Sequence, residues 1–150
     1  MRLSAHGLDV DVPPGWEARI LRREAQSFGE QPRPVVHLAN FALPEQRGDF
    51  GAGVVEAMSG RDVFVVMFEY GADSVGRPLF RHQGMPRLTA SDFSARRLQR
   101  TLPGQAGAQH FFTVGGRAFC LYTVVADGRY VRRAAAQVNA AVEAFRIVPS

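Results

Sequence analysis

The side chains that could carry chemistry are few and far apart in the sequence. The four histidines, His6, His37, His82 and His110, have no metal-ligating residue at close spacing, and no GxSxG motif places a serine nucleophile on a turn. A triad assembled from distant residues stays open, because a triad is defined by geometry and not by sequence order. We therefore expect no catalytic residues, no metal site and no cofactor, with an enzymatic function kept as the alternative.

Three carboxylates are candidates for acid–base chemistry: Asp49, Asp62 and Glu69. Glu69 is the most informative, because it interrupts an otherwise apolar run near its end. We expect its side chain either to pair with an arginine or to face solvent at the end of a strand. The single cysteine, Cys120, lies in the apolar run 118–122. It is predicted to be a small buried hydrophobic residue, with no disulfide or zinc partner.

Basic and acidic residues are unevenly distributed along the chain. All 18 basic residues are arginine, the formal net charge is +4, and the pI is about 10.2. Residues 1–76 have a net charge of −4, residues 77–100 (the basic segment) have +5, and residues 101–150 have +3. Arginine, alanine, glycine and proline have GC-rich codons, so their abundance indicates a GC-rich genome.

The basic segment supplies the candidate partner-binding residues, which are Arg96, Arg97 and Arg100. Nucleic-acid binding is not favoured, because stacking on bases requires exposed aromatic side chains and most of the 11 phenylalanines lie in predicted strands. Arginine is enriched at protein interfaces, where its planar fork pairs with carboxylates. We predict contact with an acidic surface, either on a partner protein or on a second copy of this chain. The alternative is that these are solvated charges supplied by codon bias.

Hydrophobic patterning predicts a single α+β domain over residues 1–150, in which an antiparallel sheet is backed by a C-terminal helix. Tight turns are predicted at His6-Gly7 and Gly115-Gly116, the second joining a β-hairpin. The predicted strands are 3–5, 8–12, 16–22, 35–43, 62–70, 109–114 and 117–125, and the predicted helices are 54–58 and 130–145.

Two connections are predicted between these elements. Residues 23–34 are polar and are expected to form a loop. Residues 71–108 are rich in glycine and proline, with at most one helical turn at 94–100. A connection of that length is unusual in a compact domain, so we expect it either to carry function or to be mobile.

The only tryptophan, Trp16, follows a Pro-Pro-Gly sequence at the point where the chain re-enters the predicted sheet. We expect Trp16 to belong to the core and to pack near the C-terminal helix. On that expectation, replacing Trp16 with alanine costs about 3–5 kcal/mol of stability.

Three segments resemble PsbP-like domains and their bacterial relatives, the DcrB-like proteins. They are DVPPGW at 11–16, FTVGGRAF at 112–119 and AVEAFRI at 141–147. The resemblance implies an α-β-α sandwich around a twisted antiparallel sheet, used as a binding or assembly module without enzymatic activity. One cytoplasmic branch resembles adaptor chaperones for secreted toxins, which bind apolar helices of their effectors as homodimers.

The function expected from these observations is a non-catalytic protein-binding or adaptor module, with secretion as one setting. The alternative is a small-molecule-binding or enzymatic domain with a pocket between sheet and helix. No apolar run approaches the roughly 18–20 residues of a membrane-spanning helix. The N-terminal residues lack the apolar region of a signal peptide, which predicts a cytoplasmic protein.

Overall fold

Two antiparallel sheets and one α-helix organise residues 1–23 and 32–149, the part of the chain that the computed structural model describes. The five-stranded sheet has the strand order β3-β4-β5-β7-β6, and the three-stranded sheet has the order β1-β2-β8. This arrangement confirms the predicted α+β class. The elements are β1 (Arg2–Ala5), β2 (Leu8–Asp11), β3 (Glu17–Arg23), β4 (Arg33–Ala39), β5 (Val63–Glu69), β6 (Ala106–Val114), β7 (Arg117–Val125), α1 (Val131–Glu143) and β8 (Arg146–Ile147).

The central strand β5 is buried along its whole length, as its apolar sequence predicts. Alternate side chains project to opposite faces of a strand, so β5 contributes to two separate cores. Val63, Val65 and Met67 belong to the core beneath α1, here called the helix-side core. Phe64 and Val66 belong to the core on the other face, here called the opposite core.

Helix α1 covers the helix-side core with the face that its periodicity predicts. Ala135, Val138 and Val142 are buried, and Val131 and Phe145 pack against them partly exposed. The helix is shorter than the predicted 130–145, because the chain leaves it after Glu143 and forms β8 against β2. With 13 residues, α1 is too short to cross a bilayer, and no longer apolar helix occurs in the described residues.

The opposite core is covered by irregular chain instead of a helix. The predicted strand 35–43 is wrong in its last part, since β4 ends at Ala39. The Asn40 side chain accepts a hydrogen bond from the Val63 N–H and donates one to the Arg61 carbonyl, which turns the chain away from the sheet. The chain then folds over the sheet face, and the helix predicted at 54–58 is a single 3₁₀ turn, Val55–Ala57.

The buried ring of His37 ties this covering chain to β4. Its Nε2 lies 2.8 Å from the Asp49 carbonyl oxygen, and its Nδ1 accepts a hydrogen bond from Arg47 Nε, also at 2.8 Å. Because the guanidinium can only donate, Nδ1 must be unprotonated, so Nε2 carries the proton and donates to Asp49. The contacts therefore require a neutral His37 ring.

Two predicted loops are corrected. The loop predicted at 23–34 is too long at both ends, because β3 runs to Arg23 and β4 begins at Arg33; residues 24–31 lie outside the described part. The connection predicted at 71–108 ends earlier, where β6 begins at Ala106. It contains four 3₁₀ turns instead of at most one: Ala72–Ser74, Pro78–Phe80, Ala90–Asp92 and Ala95–Arg97.

Trp16 lies near α1, as predicted, but it is not fully buried. The ring packs against the helix-side core and lines an open groove together with Ala140 of α1 and Ala144 just after the helix. The loss predicted for a fully buried tryptophan therefore overestimates the cost of removing this one, because part of the ring is already in contact with water.

The His37 contacts predict a pH dependence of stability. Burial lowers the pKa of His37 below its ordinary value and the nearby Arg47 charge lowers it further, while the Asp49 carbonyl and carboxylate act in the opposite direction. The unfolded chain therefore takes up a proton near pH 6.5 that the folded chain does not. Stability should fall as the pH drops below about 6.5, with a slope from this group of at most about 1.4 kcal/mol per pH unit.

Urea unfolding between about pH 7.5 and 5.5 checks this dependence. The His37→Gln variant should show a flatter pH dependence than the wild type, whatever its absolute stability. The matched control is His82→Gln, which changes an exposed histidine whose ring forms none of the contacts described for His37. A His37→Gln profile parallel to that of the wild type contradicts the assignment.

Candidate functional site

The structure separates the three predicted partner-binding arginines into two groups. Arg96 and Arg97 are exposed on one 3₁₀ turn, and within the described residues neither side chain forms an ion pair. Arg100 is also exposed, but its Nη1 lies 2.7 Å from Glu56 Oε1 on the chain that covers the opposite core. Two of the three predicted residues are therefore available together, and the third already has an acidic partner.

The basic segment is tied to the outer edge of β6. The Gly84 N–H donates to the Thr113 carbonyl at 2.9 Å, and the Thr113 N–H donates to the His82 carbonyl at 2.8 Å. Further along, Ser94 and Gly107 exchange two backbone hydrogen bonds, at 2.9 and 3.0 Å. The segment therefore satisfies backbone groups at both ends of an edge strand that would otherwise be open.

Helix α1 holds the middle of the same segment. The Asn139 side chain accepts a hydrogen bond from the Leu88 N–H at 2.7 Å and donates one to the Leu88 carbonyl at 2.8 Å. The Leu88 side chain is buried in the helix-side core. Arg87 and Thr89 on either side of it are exposed. The buried Leu88 side chain therefore anchors the basic segment to the helix-side core, and the neighbouring Arg87 side chain faces solvent.

A histidine of β6 and an aspartate of the basic segment are in contact. His110 Nε2 lies 3.3 Å from Asp92 Oδ2, which also accepts a hydrogen bond from the Thr89 N–H. Burial lowers the pKa of His110 despite the attraction of the carboxylate. For Asp92, burial raises the pKa, but the Thr89 N–H and His110 outweigh it, so its pKa is lowered overall. The contact joins β6 to the 3₁₀ turn Ala90–Asp92.

The other sequence candidates for chemistry do not converge. His82 is exposed, His6 lies in the tight turn between β1 and β2, and burial raises the pKa of the Cys120 thiol to about 12. Asp49 is exposed, while Asp62 Oδ2 accepts a hydrogen bond from the Ser59 N–H. Among residues 1–23 and 32–149, no three histidine, cysteine, aspartate or glutamate side chains are placed to hold a metal ion.

Glu69 is paired with an arginine, the first of the two alternatives that its sequence position predicts. Arg117 Nη2 lies 2.7 Å from Glu69 Oε1, and Arg117 Nε lies 3.0 Å from Oε2. Both side chains are buried. Two parallel N–H···O bonds of this kind are the strongest geometry available to an arginine–carboxylate pair.

Arg117 also binds three backbone carbonyls of the small sheet. Its Nη1 donates to Gly7 at 3.1 Å and to Val148 at 3.0 Å, and its Nη2 donates to His6 at 3.1 Å. Gly7 has a φ of +76°, and a Cβ atom there would lie 2.6 Å from Arg117 Nη1. A glycine is therefore required at this turn both by the backbone conformation and by the close approach of the guanidinium.

The spaces between elements differ in size and chemistry. The cavity between the sheet and α1, beside Val63 and Ala134, measures about 10 Å³, which is room for one water molecule at most. The Trp16 groove measures about 590 Å³ and is open. A third space, here called the arginine hollow, measures about 330 Å³ and is lined by His6, Arg22, Pro32, Arg33, Pro34, Glu69 and Arg117.

Sequence reasoning missed the arginine hollow. Glu69 gave a signal, because a carboxylate in an apolar strand needs a partner. The Pro-Arg-Pro sequence at 32–34 was a second signal, since it fixes the backbone around one arginine. Nothing in the sequence indicates which of the 18 arginines meets Glu69.

No protein family model matches this chain, and no characterised protein or solved structure is detectably similar to it. The resemblance to PsbP-like and DcrB-like domains therefore stays a prediction.

The Arg117–Glu69 pair predicts a large loss of stability when one partner is removed. In Arg117→Met, the Glu69 carboxylate loses its counter-charge while still buried, and three carbonyls lose a donor. Removing one side of a buried ion pair costs about 3–5 kcal/mol. Urea unfolding of the purified variant measures this loss.

The paired replacement and a surface variant complete this test. Arg117→Met combined with Glu69→Met should be less damaging than Arg117→Met alone, because no buried charge is left unpaired. The control Arg2→Met removes an exposed arginine that pairs with Asp9 on the small sheet, and it should have a much smaller effect. A loss below about 1 kcal/mol for Arg117→Met contradicts the role given to this pair.

Proposed function

We propose that this protein is a non-catalytic protein-binding module that acts as a cytoplasmic adaptor and uses the basic segment to contact an acidic protein surface. The observation that carries the proposal is the exposure of Arg96 and Arg97, without an acidic partner in the described residues, on a segment anchored to β6 and α1. Arg81 and Arg87 extend the same exposed charge along the segment.

The anchoring of the basic segment affects its affinity for a partner, because part of the free-energy cost of binding is the ordering of the chain that makes the contact. A free loop would lose conformational entropy when it bound a partner. Here, backbone hydrogen bonds at Gly84 and Ser94 and the side chain of Asn139 already hold the segment. The arginines therefore start from a fixed backbone, and more of their interaction energy is available for the partner.

The chemistry of the partner follows from the charge. The basic segment has a net charge of +5, and its one acid, Asp92, is hydrogen-bonded to Thr89 and His110. A guanidinium fork suits aspartate and glutamate carboxylates, and such charges raise the rate of association with an acidic surface. An acidic patch on another protein is the proposed partner, and a second copy of this chain is an outcome of the test.

The element order supports assignment to the PsbP-like group as part of this proposal. The Gly115-Gly116 hairpin joins β6 to β7, and α1 is followed by a short last strand, where the resemblance puts both. The alternative of a ligand pocket between sheet and helix is less favoured, because the space beside Val63 and Ala134 measures only about 10 Å³ and the larger groove beside Trp16 and Ala140 is open.

A charge reversal confined to the basic segment tests the proposal. Arg96→Glu combined with Arg97→Glu should reduce partner recovery from host extract at least about tenfold at about 50 mM salt. The deficit should shrink at high salt, because ions screen the contact. Arg100 is left unchanged in this variant, since Arg100→Glu would place a second carboxylate beside Glu56.

Arg132→Glu combined with Arg133→Glu is the matched control, because it reverses two adjacent exposed arginines of α1 and changes the net charge equally. This control should recover partners as the wild type does. Sedimentation velocity of all three proteins tests for a second copy: a wild-type dimer that dissociates only in Arg96→Glu/Arg97→Glu makes the partner another copy of this chain. Equal recovery and equal sedimentation of the two variants contradict the proposal.

A further inference from the structure

A pocket of about 230 Å³ lies on the opposite core, between the irregular chain that covers this core and the end of the basic segment. Phe50, Ala52 and Val55 line it from the covering chain, and Tyr122 of β7 lines it from the sheet. It is here called the Phe50–Tyr122 pocket. Because it lies on the sheet face that carries no helix, it is distinct from a pocket between sheet and helix.

The two segments that line the pocket are held to each other. Arg100 Nη1 lies 2.7 Å from Glu56 Oε1, which joins the basic segment to the covering chain. Just beyond the basic segment, Gln105 Nε2 donates a buried hydrogen bond to the Val55 carbonyl at 2.8 Å. The pocket is therefore formed before a ligand binds, and little binding energy is lost in ordering its walls.

The apolar part of the wall is aromatic. The Phe50 ring is partly exposed and stacks on Phe68, with ring centroids 4.8 Å apart. The Tyr122 ring meets Phe50 edge-on, with centroids 6.0 Å apart and an angle of 67° between the rings. Aromatic rings favour such offset or edge-on contacts with a further ring. Since an apolar cavity of about 150 Å³ holds a benzene molecule, this pocket admits one aromatic ring with a short substituent.

The Tyr122 hydroxyl is a buried donor for which the described residues supply no acceptor. Tyr122 is 1% exposed, and its oxygen accepts a hydrogen bond from the Gln99 N–H at 2.7 Å. Gln99 and Tyr122 both line the pocket, so this bond lies in the wall. Burial raises the pKa of Tyr122, which keeps the hydroxyl protonated at neutral pH. Its O–H can therefore donate to an oxygen atom of a ligand.

The charges around the pocket disfavour an anionic ligand. Among the described lining residues, Asp49 and Glu56 are acidic and Arg100 is basic, and Arg100 is already paired with Glu56. Asp49 is exposed and forms no ion pair within the described part of the chain. A carboxylate ligand would therefore meet an uncompensated negative charge. An ammonium ligand would not, but it has no lone pair with which to accept the Tyr122 hydrogen bond.

We propose that the Phe50–Tyr122 pocket binds a small neutral aromatic molecule that carries an oxygen substituent, such as a phenol or an aryl alcohol. The ring packs against Phe50 and Val55, and the substituent oxygen accepts a hydrogen bond from the Tyr122 hydroxyl. This site uses neither Arg96 nor Arg97. The Arg96→Glu/Arg97→Glu variant should therefore bind the ligand as the wild type does, and this proposal and the proposed adaptor function fail separately.

Titration of the full chain with phenethyl alcohol, followed by the amide NMR resonances of Ala52 and Gln99, tests the proposal. Saturable shifts of both resonances are expected, while the indole N–H of Trp16, in the groove on the other side of the sheet, should not shift. Phenethylamine and phenylacetate have nearly the same size and should each bind at least about fivefold more weakly. Binding of either one as tightly as the alcohol overturns the assigned ligand class.

Two substitutions locate the ligand. Ala52→Leu fills part of the pocket and should weaken binding of phenethyl alcohol at least about tenfold. Its matched control is Ala57→Leu, because Ala57 is also exposed on the covering chain but does not line the pocket, and this variant should bind as the wild type does. Tyr122→Phe keeps the ring and removes only the hydroxyl. The affinity for phenethyl alcohol relative to propylbenzene, which has the same shape without the oxygen, should fall about fivefold in this variant.

Three results overturn the proposal. They are the absence of saturable shifts at Ala52 and Gln99 in the wild type, equal binding by Ala52→Leu and Ala57→Leu, and an unchanged affinity ratio in Tyr122→Phe. The first two do not depend on how well Tyr122→Phe folds.

Discussion

The five N–H groups of the Arg117 guanidinium are all used, two on Glu69 and three on backbone carbonyls. These contacts connect three parts of the chain that are distant in sequence: the β1–β2 turn at His6-Gly7, the end of β5 and the residues after β8. One side chain of the five-stranded sheet therefore bonds directly to the backbone next to the strands of the three-stranded sheet. Burying the Arg117 guanidinium alone would be costly. Because its donors and its charge are both satisfied, the buried group stabilises the fold instead.

The Arg117–Glu69 pair also affects the charge of the arginine hollow beside it. By pairing with Glu69, Arg117 neutralises the one acidic residue among the described residues that line the arginine hollow. At the outer edge of β6, a different set of bonds has the same effect. Asp92 is held by Thr89 and His110, so the acid of the basic segment is turned inward while its arginines face solvent. At the edge of β6, the internal pairing of Asp92 leaves Arg96 and Arg97 exposed without an acidic partner among the described residues.

The sequence predicts the elements whose hydrophobic pattern is local. Three examples are the apolar run of β5, the helical spacing of apolar residues in α1 and the glycines at the β6–β7 turn. Each of these patterns lies within one short stretch of the sequence. The order within 71–108 could not be predicted, because it depends on partners far away: the two bonds between Asn139 and Leu88 span 51 residues. The end of β4 was predicted too late for a related reason. Phe41 and Leu43 still pack on the opposite core, so the alternating pattern continues after the strand has ended.

Amide hydrogen exchange tests most directly whether the backbone of the basic segment is fixed. The Gly84, Leu88 and Ser94 amides donate to the Thr113 carbonyl, the Asn139 side chain and the Gly107 carbonyl. These three amides should exchange slowly, with protection comparable to that of β6 amides. Exchange at the rate of an unstructured peptide, while β6 remains protected, would contradict the claim and with it the basis for a preformed cationic surface.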